Sequence, residues 1–230
     1  MTHLLKLELK KFRIMPNVLF SAAAILFCML FLTVSMVDSM TDPQQTKDDF
    51  ESTFLVIGLL VMMLFLIYAS VLTARLIIGE YNQRTITILF SCPINRRQLI
   101  AVKLIIIMVF TAASMLAGYV CLCGYIVAAD YAFDMLDGAF QPSFLETWIP
   151  SALVCIAACA ILTLWPFIVG MIRKSVPAAI ITSLITIFVR QLMISKDFAY
   201  RESVPQLLLI AAVTAVFTFF TFRKKILQVY

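Results

Sequence analysis

The chain has 230 residues, of which 63% are hydrophobic and 13% charged, and its mean hydropathy is +1.01. A soluble domain is about 45–50% apolar and about 25% charged, so this composition excludes an ordinary soluble fold and implies an all-α integral membrane protein. The net charge of +5 hints at nucleic acid, a hint that the placement of the charges, followed below, removes.

The first segment, residues 1–17, opens "MTHLLKLELKKFRIMP". On a helix Leu5, Leu9 and Phe12 share one face, and Lys6, Lys10 and Arg13 form a stripe beside it. Such a helix lies flat on the inner leaflet as an N-terminal amphipathic interfacial helix, apolar side down and amines among the headgroups. The alternative is a positive flank that only sets topology. Pro16 and Asn17 are expected to break this helix so that the chain turns into the bilayer. His3 is the single histidine, which removes a Ser–His pair, a zinc-binding HExxH helix and a histidine proton relay.

A hydrocarbon core of about 30 Å needs about 20 apolar residues per helix. Six runs meet that requirement: residues 18–37, 53–74, 104–129, 148–172, 176–194 and 204–222. The first is not read as a cleaved signal, because its polar lead-in is long and no A-x-A-like site follows. The loop after it, "DSMTDPQQTKDDFES", has turn formers and acids without the ligand spacing of a calcium site.

Between the second and third runs lies residues 79–103, "GEYNQRTITILFSCPINRRQLIAVK". Glu80 to Phe90 suits a short helix, with Ile86, Leu89 and Phe90 on one face and Gln83 and Arg84 off it. Ser91, Cys92 and Pro93 stop that helix. Asn95 and Gln98 stand in capping-box relation and start the next one, through Arg96, Arg97, Leu99 and Ile100, with Lys103 at the interface crossing. A short helix held below the membrane and joined at both ends to spans acts as a lever on spans two and three. Burying each of its apolar side chains is worth about 1.5–3 kcal/mol; from the residues alone, a protein groove and the lipid surface are equal candidates to bury them.

The loop "DYAFDMLDGAFQPSFLETW" mixes acids with Phe133, Met135, Leu136, Phe140 and Phe144. Either it dips into the outer interface, or it is held at the headgroup level by Trp148. The turn at residues 173–175 is so short that spans four and five form a tight antiparallel pair. Arg190 is the one cation inside an apolar run, "TIFVRQLMI". Lying one turn from the end of its span, it is read as snorkelling outward; a place on the substrate path is the alternative. The other spans carry no buried acid–base set and no paired broken helices, which counts against self-powered transport. Cys28, Cys121, Cys123, Cys155 and Cys159 lie in apolar runs and read as small helix- or lipid-facing residues.

With the N-terminus inside, fourteen of the eighteen Lys and Arg fall on cytoplasmic segments and eleven of the thirteen Asp and Glu fall outside. Both termini are therefore cytoplasmic on this reading. The basic residues face the anionic inner leaflet, which accounts for the net charge with membrane lipid as the partner and no nucleic acid.

Residues 79–103 resemble the cytoplasmic coupling segment of the permease subunits of type-2 (exporter) ABC transporters. That pattern runs Glu, a short gap, Gly-Thr, several residues, Leu, a short gap, Pro, then Ser or Thr with Arg, two aliphatics and Lys. Here Glu80, Thr85, Leu89, Pro93, Arg96 or Arg97, Leu99, Ile100 and Lys103 follow in that order, with Arg84 in place of the Gly and Asn95 in place of Ser or Thr. The amphipathic helix, six spans and inside termini extend the resemblance over the chain. It implies one transmembrane permease domain over residues 1–230 and ATP with Mg held by a partner; no G-x-x-x-x-G-K-[ST] occurs in this chain.

The implied complex has two permeases, identical or similar, and two copies of an ABC ATP-binding subunit. Glu80, Arg84, Thr85, Ile86, Leu89, Phe90 and Pro93 are the implied coupling contact, and closure of the ATPases would push on it. The implied location is a bacterial plasma membrane, crossed several times. Small permeases with short outer loops resemble those that export antimicrobial peptides such as lantibiotics, or hydrophobic drugs. Two other classes stay open beside this one. A stand-alone channel or secondary carrier would work without an ATPase, and an intramembrane protease would need a histidine, a G-x-S-x-G elbow or paired intramembrane acids.

Overall fold

Lipid offers no hydrogen bonds to an open backbone, so a spanning segment must satisfy its own N–H and C=O groups. Helices are accordingly the only regular structure among the described residues. The structure, a computed structural model, describes residues 8–10, 12, 14–41, 50–79, 96–133, 142–173, 175–193, 205, 209, 212–214 and 216–217. Its helices are α1 (Ile14–Thr41), α2 (Phe50–Thr73) continued by a π turn (Ala74–Ile78), α3 (Arg96–Phe133), α4 (Pro142–Leu162), α5 (Leu164–Arg173) and α6 (Val176–Met193). Four stretches are long and apolar enough to cross a membrane: Ile14–Asp38, Ser52–Ile78, Gln98–Phe133 and Trp148–Arg173. Val176–Val189 is a shorter apolar helix. Most of the sixth run lies outside the described residues; those described are helical, and Phe217 sets its ring 5.8 Å from that of Trp165 on α5.

The beginning of α1 departs from expectation. Pro16 sits in its first turn, where the missing N–H costs no hydrogen bond, so Pro16 and Asn17 belong to the helix and do not break it. The turn falls at Phe12. There the Asn17 side-chain amide donates to the Phe12 carbonyl at 2.9 Å. Residues 8–10 are helical, and the Phe12 N–H donates to the Glu8 carbonyl at 2.9 Å. The rest of the expected amphipathic helix is outside the described residues.

At the centre stands α2, which touches each of the other five α-helices. Phe54, Ile57, Met62, Phe65, Leu66 and Ala69 bury one broad face of it, while Val56, Met63 and Val71 on the other side are exposed. In contrast α1 is peripheral: 17% of its apolar window is buried, against 56% for α2. It packs through one stripe, Asn17, Ser21, Cys28, Leu32 and Met36, spaced by one or two helical turns. Leu19, Phe27, Leu30 and Phe31 face away. α3 answers with Lys103, Ile107, Thr111 and Met115, four residues apart, then Leu122 and Ile126. Gly118 lets α2 come close, since a Cβ there would lie 3.2 Å from the Phe65 ring. Two hydroxyl pairs tie helices across the bundle: Thr33 with Tyr125 at 2.9 Å and Ser183 with Ser70 at 3.1 Å.

Trp148, which one of the two readings of the loop sets at headgroup level, has its ring buried among helices. It sits edge-on to Phe54 (5.1 Å, 88°) and to Tyr119 (5.6 Å, 75°). Aromatic edges and faces attract at such angles, so α4 is keyed onto α2 and α3. The fourth apolar run is broken at Thr163, between α4 and α5. Pro166 is the cause: it has no N–H for the Leu162 carbonyl four residues back, and its ring crowds that oxygen. Thr163 repairs part of the gap, with its N–H on Cys159 at 3.0 Å and its hydroxyl donating to Ala160 at 2.7 Å. α5 and α6 are joined by two residues and pack on each other, the hairpin that the short turn predicts.

Candidate functional site

Residues 80–95 carry Glu80, Arg84, Thr85, Ile86, Leu89, Phe90, Pro93 and Asn95, and all of these lie outside the described residues. What the structure gives is the pair of roots from which that segment springs, Gly79 and Arg96. α3 begins at Arg96, one residue past Asn95, where the capping relation of Asn95 and Gln98 puts a helix start. Arg96 and Arg97 occupy the first turn, and Gln98 is exposed.

The other root is the π turn. The Gly79 N–H donates to the Ala74 carbonyl, five residues back, so the turn is wider than an α-turn and the carbonyls near its end leave the regular ladder. The last carbonyls of any helix lack partners within it. Here the Leu76 carbonyl accepts a hydrogen bond from the Lys103 ammonium at 3.2 Å. Lys103 is only 4% exposed. An ammonium is costly to bury unless paired, and a second partner is present: the Glu8 carboxylate lies 3.8 Å from Nζ. A cation at a helix C-terminus is favoured by the helix dipole as well. Lys103 thus bridges three pieces of chain, the end of α2, the start of α3 and the N-terminal segment. Lys103, read from the sequence as standing at the interface crossing, turns its side chain inward to these partners.

The N-terminal segment is fastened at further points. Phe12 is buried and sets its ring edge-on to Phe110 of α3, centroids 5.3 Å apart at 66°. Tyr68 of α2 donates its hydroxyl to the Asn17 side-chain oxygen at 3.0 Å, and Phe20 stacks on the Tyr68 ring at 4.7 Å and 16°. Glu8, Phe12, Asn17 and Phe20 therefore rest on α2 and α3.

On the opposite side of the π turn, Ile78 is buried in a notch formed by Gly170 of α5 and Ala179 of α6. A Cβ at Gly170 would collide with the Ile78 Cδ1 and come within 3.2 Å of the Ala179 Cβ. Small residues let helices approach in this way. The root of residues 80–95 is gripped from both sides: by Lys103 and Glu8 on one, by the α5–α6 hairpin on the other. Such an arrangement can pass a displacement of one segment to several helices.

Glu8, Tyr68, the Leu76 carbonyl and Gly170 escaped the sequence reading. Glu8 carried a signal, being one of only two acids assigned to the basic side of the membrane. Arg190, the candidate for a substrate path, falls in the last turn of α6, which ends at Met193; its side chain is outside the described residues.

Comparison with known proteins places this architecture. Residues 4–189 match the family described as ABC-2 family transporter protein, a span that includes Glu8, Lys103, Gly170 and the whole of residues 79–103. A Bacillus subtilis (strain 168) protein, named as uncharacterized protein YcbO, is 25% identical over 185 residues, covering 80% of this chain and 81% of the relative. No solved structure matches. The family is one of membrane transport components and implies an ABC ATP-binding partner. The chain, a multi-pass bundle of apolar helices, belongs to the ABC-2 transporter family.

Proposed function

We propose that this chain is the permease subunit of an ATP-driven ABC exporter. It crosses the membrane six times with both termini in the cytoplasm, and residues 1–17 form an interfacial helix at the inner leaflet. The observation that carries the reading is the family match over residues 4–189. Two such permeases, identical or similar, enclose the translocation path, and two ATP-binding subunits supply ATP and Mg. Residues 80–95 form the coupling helix, whose Ile86, Leu89 and Phe90 enter an ATPase groove while Glu80, Arg84, Thr85 and Pro93 shape its ends. The grip on Gly79 and on the start of α3 supports that assignment, because a lever needs fixed roots. The largely apolar surface of the chain suits an amphipathic peptide or a hydrophobic drug as cargo, exported across a bacterial plasma membrane.

The test is Leu89→Asp or Phe90→Asp in the complex with its ATPase. A carboxylate is strongly disfavoured in an apolar groove. The variants are expected to insert normally, to lose co-purifying ATPase and to lose export. Normal export by either would end the docking assignment. Solute flux by the chain reconstituted alone, without nucleotide, would instead indicate a stand-alone channel or carrier.

A further inference from the structure

Lys103 makes contacts that a residue marking only the membrane boundary would not make. It is buried, it donates to the Leu76 carbonyl at 3.2 Å, and it lies 3.8 Å from the Glu8 carboxylate. Twenty-seven residues separate it from Leu76, and residues 80–95 fill most of that interval. We propose that Lys103 is a positioning residue, a latch that holds the π turn, the first turns of α3 and the N-terminal segment together as one block. Any displacement of residues 80–95 is then delivered to all three at once. This rests on the coupling role proposed above for its consequence in transport, but the latch itself is a property of the isolated chain.

The physical reason lies in the π turn. A regular α-turn would keep residues 74–78 in the ordinary ladder, whereas the wider turn turns carbonyls toward neighbours. A lysine has three donors on a compact head, enough to hold a carbonyl and a carboxylate together. Leu76 belongs to α2's continuation and Glu8 to the N-terminal segment, so one ammonium joins elements that have no covalent route between them shorter than a whole span. The contacts of Phe12 with Phe110 and of Asn17 with Tyr68 hold the same N-terminal segment a few residues further on. These supply the fixed point against which Glu8 pulls. On the far side, Ile78 in the Gly170–Ala179 notch carries the movement on to α5 and α6.

The experiment is hydrogen exchange on the full chain in lipid nanodiscs, comparing the native protein with Lys103→Met, Lys103→Arg and Glu8→Gln. Lys103→Met is expected to speed exchange about tenfold or more at residues 74–79 and at residues 9–12 together, the loss of a charge-assisted hydrogen bond being enough for that. Amides at residues 115–126 stay unchanged, and Lys103→Arg restores most of the protection. Glu8→Gln, which keeps an accepting oxygen but no charge, speeds exchange at residues 9–12 more than at 74–79. Unchanged exchange at 74–79 in Lys103→Met overturns the latch, and so does a uniform increase along α2 and α3 in all three variants.

A second readout addresses the consequence. In the complex with the ATPase, Lys103→Met is expected to lower cargo moved per ATP about tenfold while hydrolysis persists. A merely structural role would lower both in parallel. If exchange behaves as stated and the complex neither hydrolyses ATP nor transports in the native form, the exporter reading fails and the latch stands.

Discussion

Tyr68 shows how much of this junction depends on single polar atoms. Its hydroxyl holds Asn17, whose amide holds the Phe12 carbonyl, so one phenol fixes the start of α1 on α2. Tyr68→Phe leaves the ring stacking with Phe20 and removes only the hydroxyl. The expected loss is about 1 kcal/mol, read as a lower unfolding midpoint in detergent with the fold retained. Gly170 is the reverse case, a residue that works by being absent. Gly170→Leu is expected to cost about 1–3 kcal/mol through overpacking, since Ile78 and Ala179 close the notch. Pairing Gly170→Ala with Ile78→Val, which deletes the colliding Cδ1, is expected to return the midpoint most of the way; the same unfolding assay decides it. Neither residue stands out in the sequence. A tyrosine in an apolar run looks like any other, and a glycine in a span declares its purpose only once the helix opposite it is known. Lys103 did stand out, as a cation at the edge of an apolar run. Its direction, inward to Leu76 and Glu8, depends on two elements far away in the chain and could not be read from its neighbours.

Among the elements, the apolar runs were legible because lipid imposes both length and composition. Runs 18–37, 53–74 and 104–129 each find their helix, 148–172 finds the broken pair α4 and α5, and 176–194 finds α6. Their ends were less legible. The capping relation of Asn95 and Gln98 marked the start of α3 at Arg96, but its end at Phe133 lies past the run 104–129 that announced it. Pro16 misled because proline breaks a helix interior and suits a first turn equally well; which applies depends on where the helix begins. The π turn left no mark, since "ARLII" contains no breaker. Pro166 did leave one, and the interruption at Thr163 follows from it. Pro166→Ala restores a donor for the Leu162 carbonyl and relieves the ring contact. The expected outcome is one continuous helix through residues 162–166, seen as slower amide exchange there. Because that change swings α5 against α6, export is expected to fall even as local order rises.

At the scale of the whole molecule, the open question is where cargo meets the protein, and Arg190 is the residue that divides the answers. It lies in the last turn of α6, following Ile181, Leu184, Ile185 and Phe188, which are all exposed. Their steps of three and four residues mark one face of the helix, an apolar strip available to lipid or to a second permease. A guanidinium at mid-bilayer would cost about 2.5–3.5 kcal/mol on insertion scales. In the last turn of its helix, a long stem lets the charged head reach the headgroups. On that account Arg190 anchors the helix and touches no cargo. Arg190→Leu should then leave export intact for every cargo tested, with a small drop in the amount of protein inserted. Proteoliposomes carrying the complex, assayed with one amphipathic peptide and one uncharged hydrophobic drug, separate the possibilities. Equal transport of both supports the anchor. Loss of the peptide with retention of the drug would place Arg190 on the path, and it would put the outer end of α6 at the wall of the translocation route.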